Sequence, residues 1–255
     1  MTPARRQAPH VDDIRALLHR DPWWSAYALG DLDPRRQQYC EWYVREASVA
    51  LLYREFDAPI LWAAGDPGVL DDLPDLRDCY LQVPEAFLAA VERRFTVDGI
   101  RPVHRMGLYP ADFQPAPGTS VVEPLDESHE HEIRELYADG NATHEAPDFF
   151  WRSQLGDGTF FGVRHQGQLV AAGGTHLYSA EESVGAVGNV YTHRSHRGRG
   201  HASAITTAVA NLLIERGTDT VVLNVRRENE PAIRVYERLG FRFHSSFREG
   251  RARGR

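Results

Sequence analysis

Lysine is missing altogether: all 29 basic residues of the 255-residue chain are arginine. Without lysine there is no Walker phosphate loop, whose ammonium reaches the nucleotide phosphates, and no Schiff-base chemistry on an enzyme amine. Cysteine is nearly missing too. Cys40 and Cys79 stand alone, too few for a disulfide scaffold or a tetrahedral zinc site. Two free, buried thiols in a reducing compartment are expected. No apolar run approaches the about 20 residues that a membrane helix needs. Residues 1–10 contain arginines but no apolar leader core. These absences predict a cytoplasmic protein with no metal centre. Positive charge is also short. A net charge of −7 argues against nucleic acid and anionic membrane as partners, because neither attracts an acidic surface.

What remains is an ordinary globular composition, 42% hydrophobic and 25% charged, enough to bury a core in one or two domains. Residues 109–120 carry Pro110, Pro115, Pro117 and Gly118 without hydrophobic period, and read as a linker. The expected domains are therefore 1–117 and 118–255. In the first, periodicity predicts helices over 11–18 and 24–32, strands over 41–45, 49–54 and 59–63, a helix over 84–95 and a strand over 102–108. In the second it predicts a strand at 121–122, a helix over 128–138 and strands over 160–163, 169–177 and 184–191. A helix over 202–216, a buried strand over 220–225, a helix over 231–239 and a last strand from 241 follow. Ile205, Val209, Leu212 and Leu213 form one helix stripe, with Gly217 as its stop. The fold class is α/β with a mixed sheet, and the similar element order of the halves suggests two tandem lobes.

The segment Arg197-Gly198-Arg199-Gly200-His201-Ala202 follows a strand and opens the strongest helix. The first amides of a helix have no intrahelical partner and the dipole adds positive potential, so a helix start of this kind suits an anion. Gly198 and Gly200 let a phosphate approach the backbone. Arg194, Arg197 and Arg199 add charge, and a pyrophosphate is the natural ligand.

Taken with the strand Asn189-Val190-Tyr191-Thr192, with Asn224 on the next strand, and with Asn229, Ala232, Ile233, Tyr236, Leu239, Gly240 and Phe241, this segment resembles the GCN5-related N-acetyltransferase (GNAT) superfamily over about residues 121–247. Arg197, Gly200 and Ala202 meet the family's pyrophosphate signature. The resemblance implies an acyl-CoA fold, here as two tandem GNAT-like lobes of which the first is degenerate, and acetyl-CoA as cosubstrate. It places the pyrophosphate on the backbone of Arg199, Gly200, His201, Ala202 and Ser203. Val190, Tyr191 and Thr192 would hold the pantetheine arm and thioester, with further contacts from Asn224 and Asn229. A primary amine would attack directly, and Tyr236 would protonate the leaving thiolate.

The general base is harder to place. Strand 184–191, where family members often carry a carboxylate, offers only Val, Gly, Ala, Asn and Tyr. Glu145 is the chosen substitute, with His144 beside it and His176 on the neighbouring strand as others. Two rival readings stay open: a non-catalytic acyl-CoA sensor, and an acyltransferase for longer acyl groups. Trp23-Trp24 and Phe149-Phe150-Trp151 read as core or groove lining, and the arginine tail 248–255 as a solvated terminus. The expected state is a monomer or homodimer, with the acceptor unread.

Overall fold

The computed structural model describes residues 9–118 and 121–255. Most of the leader region read above, residues 1–8, lies outside the described residues, as do Thr119 and Ser120 of the proline-rich stretch. The chain runs α1 Val11–Leu18, α2 Pro22–Gly30, β1 Cys40–Arg45, β2 Ser48–Tyr53, β3 Ile60–Ala64, β4 Asp78–Pro84, α3 Leu88–Arg94, β5 Phe95–Val97 and β6 Arg101–Leu108. It continues with β7 Glu123–Leu125, α4 Glu130–Ala138, β8 Phe160–His165, β9 Gln168–Ser179, β10 Val184–Thr192, α5 His201–Glu215, β11 Thr220–Arg226, α6 Glu230–Arg238 and β12 Arg242–Gly254. Both cysteines are free. Among the described residues no helix is long and apolar enough to cross a membrane.

Two compact units result, one of residues 1–104 with 245–255, the other of 105–244. The proline-rich stretch therefore sits inside the second unit. Its prolines do not make residues 112–116 a tether, because these are clamped. Gln114 N–H donates to Leu239 O (3.1 Å) and Ala116 N–H to Thr207 Oγ1 (3.1 Å), while Phe113 and Ala116 pack on the unit's main core. Gly240, at φ 96°, lies so near this stretch that a Cβ there would come within 2.2 Å of Asp112 O.

In the first unit the strand order is β1-β2-β3-β4-β12, with β5 also on β12. All pairs are antiparallel except β3 with β4. In the second unit the order is β6-β11-β10-β9-β8-β7. There β7, β8, β9 and β10 pair antiparallel, and β10 pairs parallel with β11. Each unit thus has an antiparallel meander followed by one parallel step. What differs is the crossover. The second unit spans it with the 15-residue α5, the first with a six-residue 3-10 turn, Pro67–Asp72, whose Gly68 amide is capped by the Asp66 carboxylate. A carboxylate at that helix start occupies the position a bound anion would take.

Sequence reading found most elements but missed β4 and β5. Asp78, Gln82 and Pro84 break up an apolar strand, yet Cys79, Leu81 and Val83 face the core fully buried. The predicted strand at 121–122 begins two residues late, at Glu123, and Val121 is 90% exposed. Trp24 belongs to the first unit's interior: it stacks on Trp62 at 5.8 Å, meets Phe247 edge-on at 5.3 Å, and donates from Nε1 to Ala63 O. Phe247 comes from the returning C-terminal segment and is 0% exposed. Phe247→Ala should therefore cost about 3–5 kcal/mol, while Val121→Ala should change stability by about 0.5 kcal/mol or less. Urea denaturation midpoints of the two variants check this. Equal midpoints would mean that the C-terminal strand adds little to the first unit.

Candidate functional site

Strand β10 is the organising element. Its register against β9 runs Gly188↔Gly174 and then Tyr191↔Ala172, so Asn189 and Val190 together oppose Gly173. This is a β-bulge. Asn189 accommodates it with φ 56°, a left-handed conformation that asparagine tolerates better than most residues. Gly173 is needed there because a Cβ would come within 3.0 Å of the Val190 Cα. On the other side, pairing with β11 ends at Val187↔Leu223, although β10 continues to Thr192 and β11 to Arg226. The two parallel strands thus part company where the bulge begins.

Polar atoms line that opening. Thr192 Oγ1 and Asn224 Oδ1 are buried and have no hydrogen-bond partner among the described residues. An orphaned buried oxygen costs about 1–3 kcal/mol, so a site with two of them fits a ligand rich in hydrogen-bonding groups. The amides of coenzyme A's pantetheine arm are such groups.

After β10 comes the glycine turn. Gly198 and Gly200 have φ 76° and 81°, and Gly200 is the N-cap of α5 with no side chain capping the helix amides. A Cβ at Gly198 would meet nothing within 4 Å, so the approach is open. Ile205, Val209 and Leu213 bury the opposite face of α5 in the core. His201 starts the helix, followed by the half-buried Ala202 and Ser203. Arg199 and burial together keep the His201 imidazolium below its ordinary pKa, burial being the larger cause.

Two of the three arginines read as adding positive charge carry carboxylate partners. Arg194 is held by Asp139, whose Oδ1 accepts from Nε at 3.0 Å and whose Oδ2 accepts from the backbone N–H at 3.0 Å. Arg197 grips Glu145 with both terminal nitrogens, at 3.0 and 3.2 Å, and donates to Thr192 O from Nε. Its guanidinium lies 5.6 Å from the Tyr191 ring centroid. Arg199 is exposed at the turn.

The pairing bears on Glu145. Hydrogen bonds from Arg197 and then Thr143 hold its carboxyl below the ordinary glutamate range. A carboxylate so stabilised has little affinity for a proton, and the geometry suits an anchor for Arg197 better than a base. His144 is exposed, in a left-handed turn, with its carbonyl accepting from Arg226 at 2.6 Å. Tyr191 turns its side chain into the protein: it is buried and its hydroxyl donates to Asp139 at 2.8 Å. Only its backbone remains for a ligand.

On the far side of the opening, α6 starts at Asn229, whose Oδ1 accepts from Ala232 N–H at 3.3 Å. Pro231 stands in the first turn and Gly240, at φ 96°, follows the end. Tyr236 is 9% exposed and meets Phe241 edge-on at 6.0 Å. Burial pushes its phenol up to about 12, so it holds its proton at neutral pH.

A polar network went unread in the sequence. Asn189, Gln154, His176 and Tyr137 join α4, the segment 152–157 and strands β9 and β10 through side-chain hydrogen bonds. The available signal was an asparagine behind a glycine in an otherwise apolar strand. Among the described residues no group of three metal-ligating side chains is gathered.

Comparison with known proteins agrees with this geometry. The family model described as "Acetyltransferase (GNAT) family" matches residues 125–241. Mycothiol acetyltransferases from Corynebacterium aurimucosum and Streptomyces avermitilis are 41% and 33% identical over 63 and 87 residues. Those stretches take in 24% and 34% of this chain, but only 21% and 28% of the relatives, so the match spans about a quarter of their length. A GCN5-related N-acetyltransferase from Kribbella flavida superposes with TM-score 0.61 at 19% identity, covering 91% of this chain and 93% of that one. One from Sphaerobacter thermophilus gives 0.55 at 16%, covering 97% and 94%. At such identities these two establish a shared fold. The family match, the opened strand pair and the glycine-started helix coincide in one region, and the C-terminal half of this chain belongs to the GNAT acetyltransferase superfamily.

Proposed function

We propose that the protein is an N-acetyltransferase that passes the acetyl group of acetyl-CoA to a primary amine by direct attack, without an acyl-enzyme. The observation that carries this reading is the pair of orphaned buried oxygens, Thr192 Oγ1 and Asn224 Oδ1, at the parting of β10 and β11 beside the start of α5. The amides of residues 199–203 and Arg199 would take the pyrophosphate, and Thr192 and Asn224 the pantetheine amides. The Val190 backbone would face the thioester oxygen. A donor aimed at that oxygen is worth about 3 kcal/mol in acyl transfer. Asn229 would add a contact while capping α6. Tyr236, protonated at neutral pH, would give its proton to the departing sulfur. Glu145 would hold Arg197 in place.

The first unit supports a single site per chain, because its crossover turn places the Asp66 carboxylate where α5 offers bare amides. We assign it as a GNAT-like lobe without a coenzyme site. A sensor reading is favoured by one feature, the amide side chain of Asn189 on the strand where a carboxylate base would stand. Turnover separates the two, since a sensor binds acetyl-CoA without consuming it.

Acetyl-CoA at about 100 times its Kd should stabilise the protein by about 2.7 kcal/mol. A thermal-shift titration should show this, and calorimetry should give one site per chain. Gly200→Glu should abolish the shift, because it sets a carboxylate against the phosphates. No shift in the parent protein, or two sites, would refute the assignment. Tyr236→Phe should lower kcat about 10²-fold with acetyl-CoA affinity nearly unchanged, measured by thiol release with lysine, spermidine and glucosamine as acceptors. An undiminished kcat would make the phenol structural.

A further inference from the structure

The glycine turn lies in a corner where histidines gather. Of the chain's 12 histidines, His165, His193, His196 and His201 meet there. His196 ends the 3-10 turn Arg194–His196 just before the glycines, and His201 is the first residue of α5. His165 is the last residue of β8, the next strand but one from β10. Its ring centroid lies 5.2 Å from that of His196, and the His193 centroid lies 5.7 Å from the same ring. Ser195 Oγ, 2.9 Å from the Nδ1 atoms of both His193 and His196, ties these two rings together. None of the four is a core residue: His165 is exposed and the others are half-buried.

The charges around this corner divide cleanly. Asp139 holds Arg194 and also reaches His193, its Oδ1 lying 3.5 Å from Nε2, while Glu145 holds Arg197. On β8, Arg164 is taken by Glu123 and Glu132. The influences on His196 and His201 are of the other sign. Burial, then the positive charges of Arg199, His165, His193 and His201, keep the His196 imidazolium below its ordinary pKa. Burial, then Arg199 and His165, do the same to His201. A chain of net charge −7 thus gathers groups that repel one another once protonated, beside a turn where Gly198 leaves the approach open. Opposite charge close by favours the protonated form of such rings, so an anion among them relieves the repulsion. The described residues bring no three of these groups into a metal-holding arrangement, and an anion is the occupant that the charges favour.

We propose that His165, His196 and His201, with Arg199, form a phosphate subsite at the glycine turn that takes up a proton when acyl-CoA binds. The inference rests on the acyl-CoA reading and adds side chains to a site so far built from helix amides. Acyl-CoA carries phosphate in two places, the pyrophosphate and the 3′ position of its ribose. The chemistry is the same for both: a phosphate oxygen faces an imidazolium whose extra proton comes from solvent, and no covalent bond is made or broken.

The sign of the pH dependence follows. In the free protein the His196 and His201 rings shed their protons early, because their neighbours are positive. A phosphate within about 4–6 Å should raise such a ring by about one to three units, which carries it across neutral pH. A ring that is neutral when free and protonated in the complex makes binding tighter as pH falls. The slope of log Kd against pH equals the number of protons taken up.

The test uses the full chain with two probes, coenzyme A and 3′-dephospho-coenzyme A. Calorimetry at about pH 7, in two phosphate-free buffers of different ionisation enthalpy, counts the protons. Coenzyme A should bind with uptake of about 0.5–1 proton, and about tenfold more tightly at about pH 6.5 than at about pH 8. Uptake with both probes assigns the pyrophosphate as occupant, and uptake with coenzyme A alone assigns the 3′-phosphate. The double variant His165→Gln, His196→Gln should lose most of the uptake and flatten the pH dependence. His196→Arg fixes the charge, so it should tighten binding at about pH 8 and reduce the uptake, which a merely structural ring would not do. Coenzyme A bound without proton uptake, or uptake unchanged in the double variant, overturns the subsite and leaves the acyl-CoA reading standing. A parent protein that binds neither probe sinks both.

Discussion

The parting of β10 from β11 after Val187 is the constraint on which the rest of the site depends. Two parallel strands that stay paired present a closed ladder, and a ligand has nothing to bond there. Here the bulge at Asn189 and Val190 turns β10 away, and β11 carries on without it. Everything that follows is arranged along this seam. Thr192 and Asn224, on the two strands beyond the parting, keep buried oxygens without a partner among the described residues, α5 opens after β10, and α6 follows β11 with Tyr236 on it. The glycines at 173 and 188 are part of the same device, since each removes a side chain that would force the bulge flat or displace a neighbour.

Electrostatics at the glycine turn is subtler than the sequence suggests. Arg194 and Arg197 raise the local charge on paper, yet Asp139 and Glu145 neutralise much of it. Exposed pairs of this kind contribute little to stability. Their effect is geometric: Asp139 ties Arg194 and Tyr191 to the end of α4, and Glu145 ties Arg197 and the end of β10 to the loop after it. In the proposed site the anion would be left to the helix amides, whose positions are set by the backbone, with the exposed Arg199 beside them.

How much of this could be read in advance follows from the range of each interaction. The helix that starts after Gly200 and the helix capped by Asn229 were legible, because caps, prolines and positive-φ glycines act within a few residues. The glycine turn was legible for the same reason. Strand β4 was not, since its polar Asp78 and Gln82 hide the buried Cys79, Leu81 and Val83 until partners from β3 and β12 are in place. Glu145 was chosen for chemistry, and only the fold brings Arg197, 52 residues away, onto it. Asn189, His176 and Gln154 meet across 13 and 35 residues, and no local pattern announces such an encounter.

The return of residues 245–255 to the first unit sets an order of events during synthesis. Phe247 and Ala252 are core residues there, and β4, paired on one edge with β3, finds its antiparallel partner in this segment. A ribosome releases the chain from the N-terminus, so residues 1–104 emerge first but wait for the last strand. The second unit, continuous from 105 to 244, has all its strands before then. The half that carries the family match is therefore free to fold first, and the lobe that leads the sequence closes last. Until it does, the edge of β4 is exposed, an interval in which unpaired strand edges invite association with other chains.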